Sequence, residues 1–478
     1  ILPEPKTGSV VPKLFVGSRN KSFLGPPMQI NAAMDGATDA PVAINVALPS
    51  GRCGVVTLPE CGSRICDLKV AAQQSLGQGF LRLIAPDGNM LDPAHTLEAC
   101  GLHDGDTVIA VAQQPQMAAT YGAFALWCCS CGKLVTWGHH SSGGDSGKVQ
   151  DALLNVQHVT GNHRAFAAIL SDEGKVVTWG DGESGGKSAA VQDQLRNVQQ
   201  IYATQFAFAA ILADGRVVSW GDPASGGDSS GVQDRLRNVQ RMAATHFSFA
   251  AICGDGSVVT WGRQACGDSF AVQEQLAGQV QDVCATHRAF AAMLADGTVV
   301  TWGNPEYGGD CSDVRHQLVR VRQIQSTGHA FAALLDDGAV VTWGHHASGG
   351  DSRRQIHRLK DVKRLYSSEH AFAAILQNGS VVTWGDLASG GDSFKVQDQL
   401  KNVLHIVSTH FSFAALRSDL SVVTWGDPRS GGDSRRVQQQ LRNVSQICAS
   451  HFAFTAIRMD GTIVTWGNPE YGGDRKKG

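Results

Sequence analysis

The residues in this chain that could do chemistry recur at regular intervals, and the recurrence limits what they can do. An aspartate follows one or two glycines at Asp145, Asp228, Asp268, Asp310, Asp351, Asp392, Asp433 and Asp474. A ring of such carboxylates would suit a hard cation such as calcium. Lys187 breaks the series, and an aspartate beside glycine more simply caps its own turn, which is the reading we take. Histidines form a second series. His163, His246, His287, His410 and His451 share one repeat position, with His329 and His370 one place later. Tyr121, Gln205, Gly328 and Glu369 stand in the first position elsewhere. A position that accepts such different side chains reads as structural. The pairs His139-His140 and His345-His346 read as variants of a surface turn.

Cys128, Cys129 and Cys131 lack CxxC spacing and a second ligand pair, so no metal and no cofactor is assigned. Cys53, Cys61, Cys66 and Cys100 lie upstream of the repeats, and Cys253, Cys266, Cys284, Cys311 and Cys448 fall at irregular repeat positions, which suits a reducing compartment better than a disulfide framework. Catalysis needs an asymmetric set of nucleophile or base, orienting partner and charge-stabilising donors. Repeats offer the same residue many times over, so no catalytic residue is assigned and the chain is read as not an enzyme. One connection does diverge, with Arg353, Arg354, Arg358, Lys360, Lys363 and Arg364 set against Asp361 alone. Arg435, Arg436, Arg475, Lys476 and Lys477 follow. These residues are a candidate basic binding sector, with a plain solvated face as the alternative. The whole chain has a formal net charge of −3, too near neutral for a general polyanion binder. Nucleic acid is therefore not an expected partner. No apolar run is long enough to span a membrane.

The elements that must hold these residues come from a repeat. Trp137, Trp179, Trp220, Trp261, Trp302, Trp343, Trp384, Trp425 and Trp466 each precede glycine, spaced 42 residues once and 41 thereafter. Each unit reads approximately NVQQIxATxxAFAAILxDGxVVTWGxxxSGGDSxxVQDQL. The pattern predicts three strands per unit, as at 198–203, 208–212 and 217–220. Asp-Gly or Asn-Gly joins the second to the third, because it takes the positive φ of a tight hairpin. Asp419-Leu420 breaks that rule, so its turn is expected to differ. Val232 and Leu236, four apart, predict one helical turn in the connection. Units this short must stack to bury their apolar faces. Short sheets with one aromatic marker each predict a mainly β fold, a β-propeller of about nine three-stranded blades. One tryptophan per blade would pack between adjacent sheets. We expect the first repeat to close on the ninth by side-chain packing, with an open superhelical stack as the alternative.

Upstream, 42–48 alternates as a half-buried strand, and Gly54–Leu58 pairs back across Ser50-Gly51-Arg52. Ile65, Leu68, Val70, Ala71 and Ala72 give a helix stopped by Gly77. Strands follow at 80–84 and 107–111. The string LRLIAPDGNMLDPAHTLEACGLHDGDTVIAVA at 81–112 resembles ubiquitin and its relatives, which implies a β-grasp domain with a helix across a mixed sheet. That family's apolar recognition patch would map onto Pro49, Ile84 and Val111. The chain runs on through Gln113-Gln114-Pro115 instead of ending in Gly-Gly, so conjugation is not implied.

The repeats, through strings such as Asp255–Gly262 and the glycine turn after each, resemble the regulator-of-chromosome-condensation family, and in length its relatives with three-stranded blades. The resemblance implies a propeller that binds proteins. Some members act in nucleotide exchange on small GTPases, and ligases of the HERC type carry such propellers. Photoreceptor members use extra tryptophans and arginines that this chain lacks. The expected organisation is an extended arm or linker at 1–40, a ubiquitin-like domain at 41–113 and the propeller at 117–478. The expected function is a non-catalytic protein-interaction scaffold or accessory subunit, with other proteins of a multi-subunit complex as partners. The alternatives are a recognition or adaptor component of a ubiquitin-ligase pathway, or a regulator of a small GTPase. The expected location is cytoplasmic or nuclear, or an organelle after removal of a targeting peptide.

Overall fold

Alternating strands with one helix build the first part of the chain, and a three-strand repeat builds the rest. The computed structural model describes residues 41–59, 62–77, 81–92, 95–112, 115–127, 134–277 and 280–474. The expectations for 1–40, for Cys128, Cys129 and Cys131, and for 475–477 fall outside the described residues.

β1 (Val42–Ala47), β2 (Cys53–Leu58), α1 (Ile65–Leu76), β3 (Leu81–Ile84) and β4 (Thr107–Ala112) form the first part. The sheet order is β2-β1-β4-β3. β1 and β4 run parallel, and the outer pairs are antiparallel. With α1 packed on this sheet, the arrangement is a β-grasp. The helix buries Ile65, Leu68, Ala72 and Leu76, and Gly77 ends it at φ +60. Val70, expected on the apolar stripe, is instead 53% exposed. Two residues beyond Leu68, it points away from the helix face that Leu68 buries.

Nine three-stranded sheets follow. Blades 1 to 9 span 116–138, 156–180, 198–221, 241–262, 280–303, 321–344, 362–385, 403–426 and 444–467. Blade 3 is representative, with strands Val198–Ala203, Ala207–Leu212 and Val217–Gly221 in an antiparallel meander. The alanines of the second strand are fully buried between sheets. Each of the nine phenylalanines on that strand, Phe124 to Phe454, is 0% exposed and stacks on its own blade's tryptophan, as Phe166 does on Trp179 at 5.1 Å. This pair is the main apolar wedge of every blade, and the phenylalanine half of it was not singled out from sequence. In blades 2 to 9 the indole N–H donates to a glycine carbonyl of the preceding connection. Trp179 reaches Gly143 at 3.0 Å and Trp302 reaches Gly267 at 3.2 Å.

The hairpins refine one expectation and correct another. In the Leu212–Gly215 turn only the glycine takes positive φ, at +77. This is a turn followed by a left-handed residue, and not a pair of left-handed residues. At Asp419-Leu420 the turn keeps the same form, with Leu420 N–H donating to the Arg417 carbonyl at 2.9 Å. Leu420 is forced to φ +60, so the side chain carries the departure and the backbone does not. The one extra residue of the 42-residue interval lies in the blade 2 hairpin, between Leu170 and Lys175. Just before each first strand, Asn155, Asn197, Asn238, Asn402 and Asn443 sit near φ +50, a conformation asparagine tolerates better than most residues.

The ring closes. Phe124, Leu126 and Trp137 of blade 1 share one buried cluster with Ala453 and Ile457 of blade 9. Tyr121 packs on Phe452 at 5.1 Å and Tyr471 at 5.3 Å.

Candidate functional site

Nine turns between first and second strands point to one place. In eight of them a threonine, serine or asparagine accepts from the backbone N–H three residues on, as Thr286 Oγ1 does from Ala289 at 3.1 Å and Ser368 Oγ from Ala371 at 3.1 Å, and in blade 8 Thr409 Oγ1 bonds the Ser412 hydroxyl at 2.6 Å instead. The residue after that cap is thereby fixed. It links to its neighbour blade through the backbone. Tyr121, His163, Gln205, His246, His287, Gly328, Glu369 and His410 each donate their N–H to the carbonyl of the next residue in this series, which ends at His451. These bonds run from 2.8 to 3.2 Å. The histidine position of the sequence is therefore an inner belt, one residue per blade.

The belt side chains meet around a space of about 350 Å³ lined by His163, Gln205, His246, His287, Glu369 and His451. Imidazoles crowd it. His246 lies over His287 at 3.3 Å between ring centres, and His410 lies 3.8 Å from His451. Burial, reinforced by neighbouring imidazoles, holds His246 down to about 2, His451 to about 3 and His329 to about 4. The same causes lower His410 well below its ordinary value. These rings are neutral at physiological pH.

Glu369 is the one carboxylate of the belt, and its Oε1 contacts His287 Nε2 from two blades away. Its other oxygen lies 3.9 Å from His410 Nδ1. The ligand atoms of His287, His329 and Glu369 all lie within 4.8 Å of one another. The sequence reading, which took the histidines as structural and assigned no metal, did not find this group. The signal was present in the two belt positions where Gly328 and Glu369 replace the usual ring, in the same two blades that carry their histidine one place later.

The other sequence-derived residues lie elsewhere. Seven of the eight recurring aspartates cap their own turns, as Asp228 does by accepting from Ser230 N–H at 2.9 Å and Asp392 from Phe394 N–H at 2.8 Å. Arg353, Arg354, Arg358, Lys360, Lys363 and Arg364 are all exposed on and beside the connection from blade 6 to blade 7. Arg353 is committed to Asp351, with Nη2–Oδ2 at 2.6 Å and Nε–Oδ1 at 2.9 Å. The pair holds the Asp351 carboxyl well below its usual range. Ile84 and Val111 are half-buried on adjacent strands. Ile84 is paired with Ile109, which is 44% exposed, so a small apolar row faces outward there. All nine tryptophans of the series are buried.

No family model matches the chain, and no curated protein matches it either. Solved structures do. Human WBSCR16 aligns at 17% identity over 48% of this chain and 77% of its own, with a TM-score of 0.33. Prp20p from Saccharomyces cerevisiae aligns at 15% identity over 56% and 81%, with a TM-score of 0.34. Yeast RCC1 (Prp20), solved bound to Kap60, aligns at 16% identity over 55% of this chain and 80% of its own, with a TM-score of 0.35. The ubiquitin-like domain of the 4931431F19Rik protein matches 19% of this chain and 93% of its own at 22% identity, with a TM-score of 0.15. Among the described residues no helix is long and apolar enough to cross a membrane.

Proposed function

We propose that this protein is a non-catalytic interaction scaffold, an accessory subunit whose propeller presents its divergent connections to another protein. The reading is carried by one observation. The blades are uniform where they are buried, whereas the exposed link between blades 6 and 7 gathers the densest run of cations, among them the exposed Arg354, Arg358, Lys360 and Lys363. A surface of this kind favours an acidic protein partner through charge complementarity. Affinity isolation of the tagged full chain tests it. A stoichiometric protein partner supports the scaffold, and turnover of a small molecule by the isolated chain overturns it.

A second reading, an adaptor in a ubiquitin-ligase pathway, is favoured by the outward apolar row Ile84, Ile109 and Val111 on β3 and β4. Titration with a ubiquitin-binding domain, read by NMR shifts on those residues, decides it. No shift removes this reading and leaves the scaffold untouched.

A further inference from the structure

We propose that the inner belt is a metal site, binding a zinc-class divalent transition-metal ion through His287, His329 and Glu369. The three ligand atoms already lie within 4.8 Å of one another. They come from three consecutive blades, and each stands on a hairpin tip closed by a capped turn and tied to the next by backbone hydrogen bonds. Such a site is organised before any ion arrives.

An ion pair between His287 and Glu369 is the simpler account, but it leaves two features unexplained. The first is Gly328. A Cβ there would stand 2.5 Å from His287 Nε2 and 2.5 Å from Glu369 Oε1. Any other residue would block the approach of these two groups, and φ at this glycine is not in the left-handed region, so turn geometry alone does not demand it. The second is His329. Its Nδ1 is buried without a hydrogen-bond partner, whereas a structural histidine normally has its buried nitrogens satisfied. Both features arise in blade 6, where the repeat breaks its own rule by placing its histidine one position late, and among the described residues the one other buried histidine nitrogen without a partner is His163 Nδ1 of the same belt.

The donor set selects the ion. Two imidazoles and one carboxylate suit zinc and its neighbours, while calcium and magnesium require all-oxygen shells. Three protein ligands leave a further position for water, and the adjoining space of about 350 Å³ has room for it. His410, 3.9 Å from the second Glu369 oxygen, is placed to orient that carboxylate. An ion here would tie blades 5, 6 and 7 together at their inner ends.

The test uses the full chain, stripped with chelator and titrated with zinc alone and then with cobalt(II). We expect one tightly held ion, and cobalt bands in the visible without the near-ultraviolet charge transfer that thiolate ligands such as Cys128, Cys129 or Cys131 would give. Glu369→Gln and His329→Gln should each weaken binding by more than the roughly 10–100-fold that outer-shell changes cost. His346→Gln, on an exposed turn, should not. Failure of the parent to hold zinc, or equal affinity in Glu369→Gln and His329→Gln, overturns the proposal. Should those variants fail to fold, histidine modification of the parent decides. Zinc must protect His287 and His329 while His346 stays reactive, and equal labelling with and without zinc overturns the site.

Discussion

Gly472, downstream of the last strand, lies against Trp137 in the first blade. A Cβ on Gly472 would come within 3.6 Å of Trp137 Nε1 and 2.5 Å of Phe124 Cδ2. Gly143 after blade 1 stands in the same relation to Phe166 and Trp179 of blade 2, and Gly308 after blade 5's sheet to Phe331 and Trp343 of blade 6. The ninth connection thus serves the first blade as seven of the eight internal connections serve the next, the exception being the one after blade 4, where Gly267 lies outside the left-handed region. The closure packs with the same parts as those seven joints.

Gly472→Ala should therefore destabilise the whole ring. The glycine sits at φ +92, so the change adds left-handed strain of about 1–2 kcal/mol to an overpacking cost of about 1–3 kcal/mol. Urea unfolding followed by tryptophan fluorescence measures it. A loss matching that of Gly308→Ala is expected, and a variant as stable as the parent would mean that the terminal connection is free.

Trp302→Ala removes a buried indole and its hydrogen bond to the Gly267 carbonyl. The expected cost is about 3–5 kcal/mol, read as a lowered melting temperature. Melting like the parent would place the tryptophan series outside the core.

Leu420→Gly should do the opposite. The turn already has the shape that glycine adopts without strain, and Leu420 holds it at φ +60. Relief of the left-handed conformation is worth about 1 kcal/mol, reduced by the greater freedom of glycine in the unfolded chain. A net gain in the urea midpoint is expected, and a loss would show that the leucine side chain packs to advantage.

Acid should loosen the belt before it touches the carboxylates. His451 is enclosed by Tyr121, His163, His410 and Phe452, and burial lowers its value from 6.5 to about 3. Between those limits the unfolded chain binds a proton that the folded chain refuses. Its contribution is complete above 6.5 and is lost as pH falls toward the folded value, at up to about 1.4 kcal/mol per pH unit. His451→Gln, which copies Gln205 of the same belt, should flatten the decline in stability between about pH 6.5 and about pH 5. An unchanged slope would assign the decline to other groups.

The repeat made much of this architecture legible, and its limits are physical. Strand spacing, the Asp-Gly turns and the buried tryptophans are local features with a fixed period, so Trp137 to Trp466 mark the blades directly. Turn shape was less legible, because Asp419-Leu420 looks like an exception in residue type while the surrounding sheet imposes the common backbone. The helix face was misjudged at Val70, where composition suggested burial and angular position forbids it. The belt group was the least visible. His287 and Glu369 are 82 residues apart, and only the convergence of blades 5, 6 and 7 at their inner ends makes them neighbours. Gly328 registers in sequence merely as a missing histidine.

The scaffold reading is tested most directly by charge reversal on the connection between blades 6 and 7. A full-length variant carrying Arg354→Glu, Arg358→Glu, Lys360→Glu and Lys363→Glu leaves every buried position intact, and it spares Arg353, which is held by Asp351. The parent, isolated at low salt, is predicted to elute as a complex with an acidic protein that dissociates as salt rises. The variant is predicted to elute alone while unfolding at the same urea midpoint. A parent that elutes alone, or a variant that keeps the complex unchanged, would contradict the account.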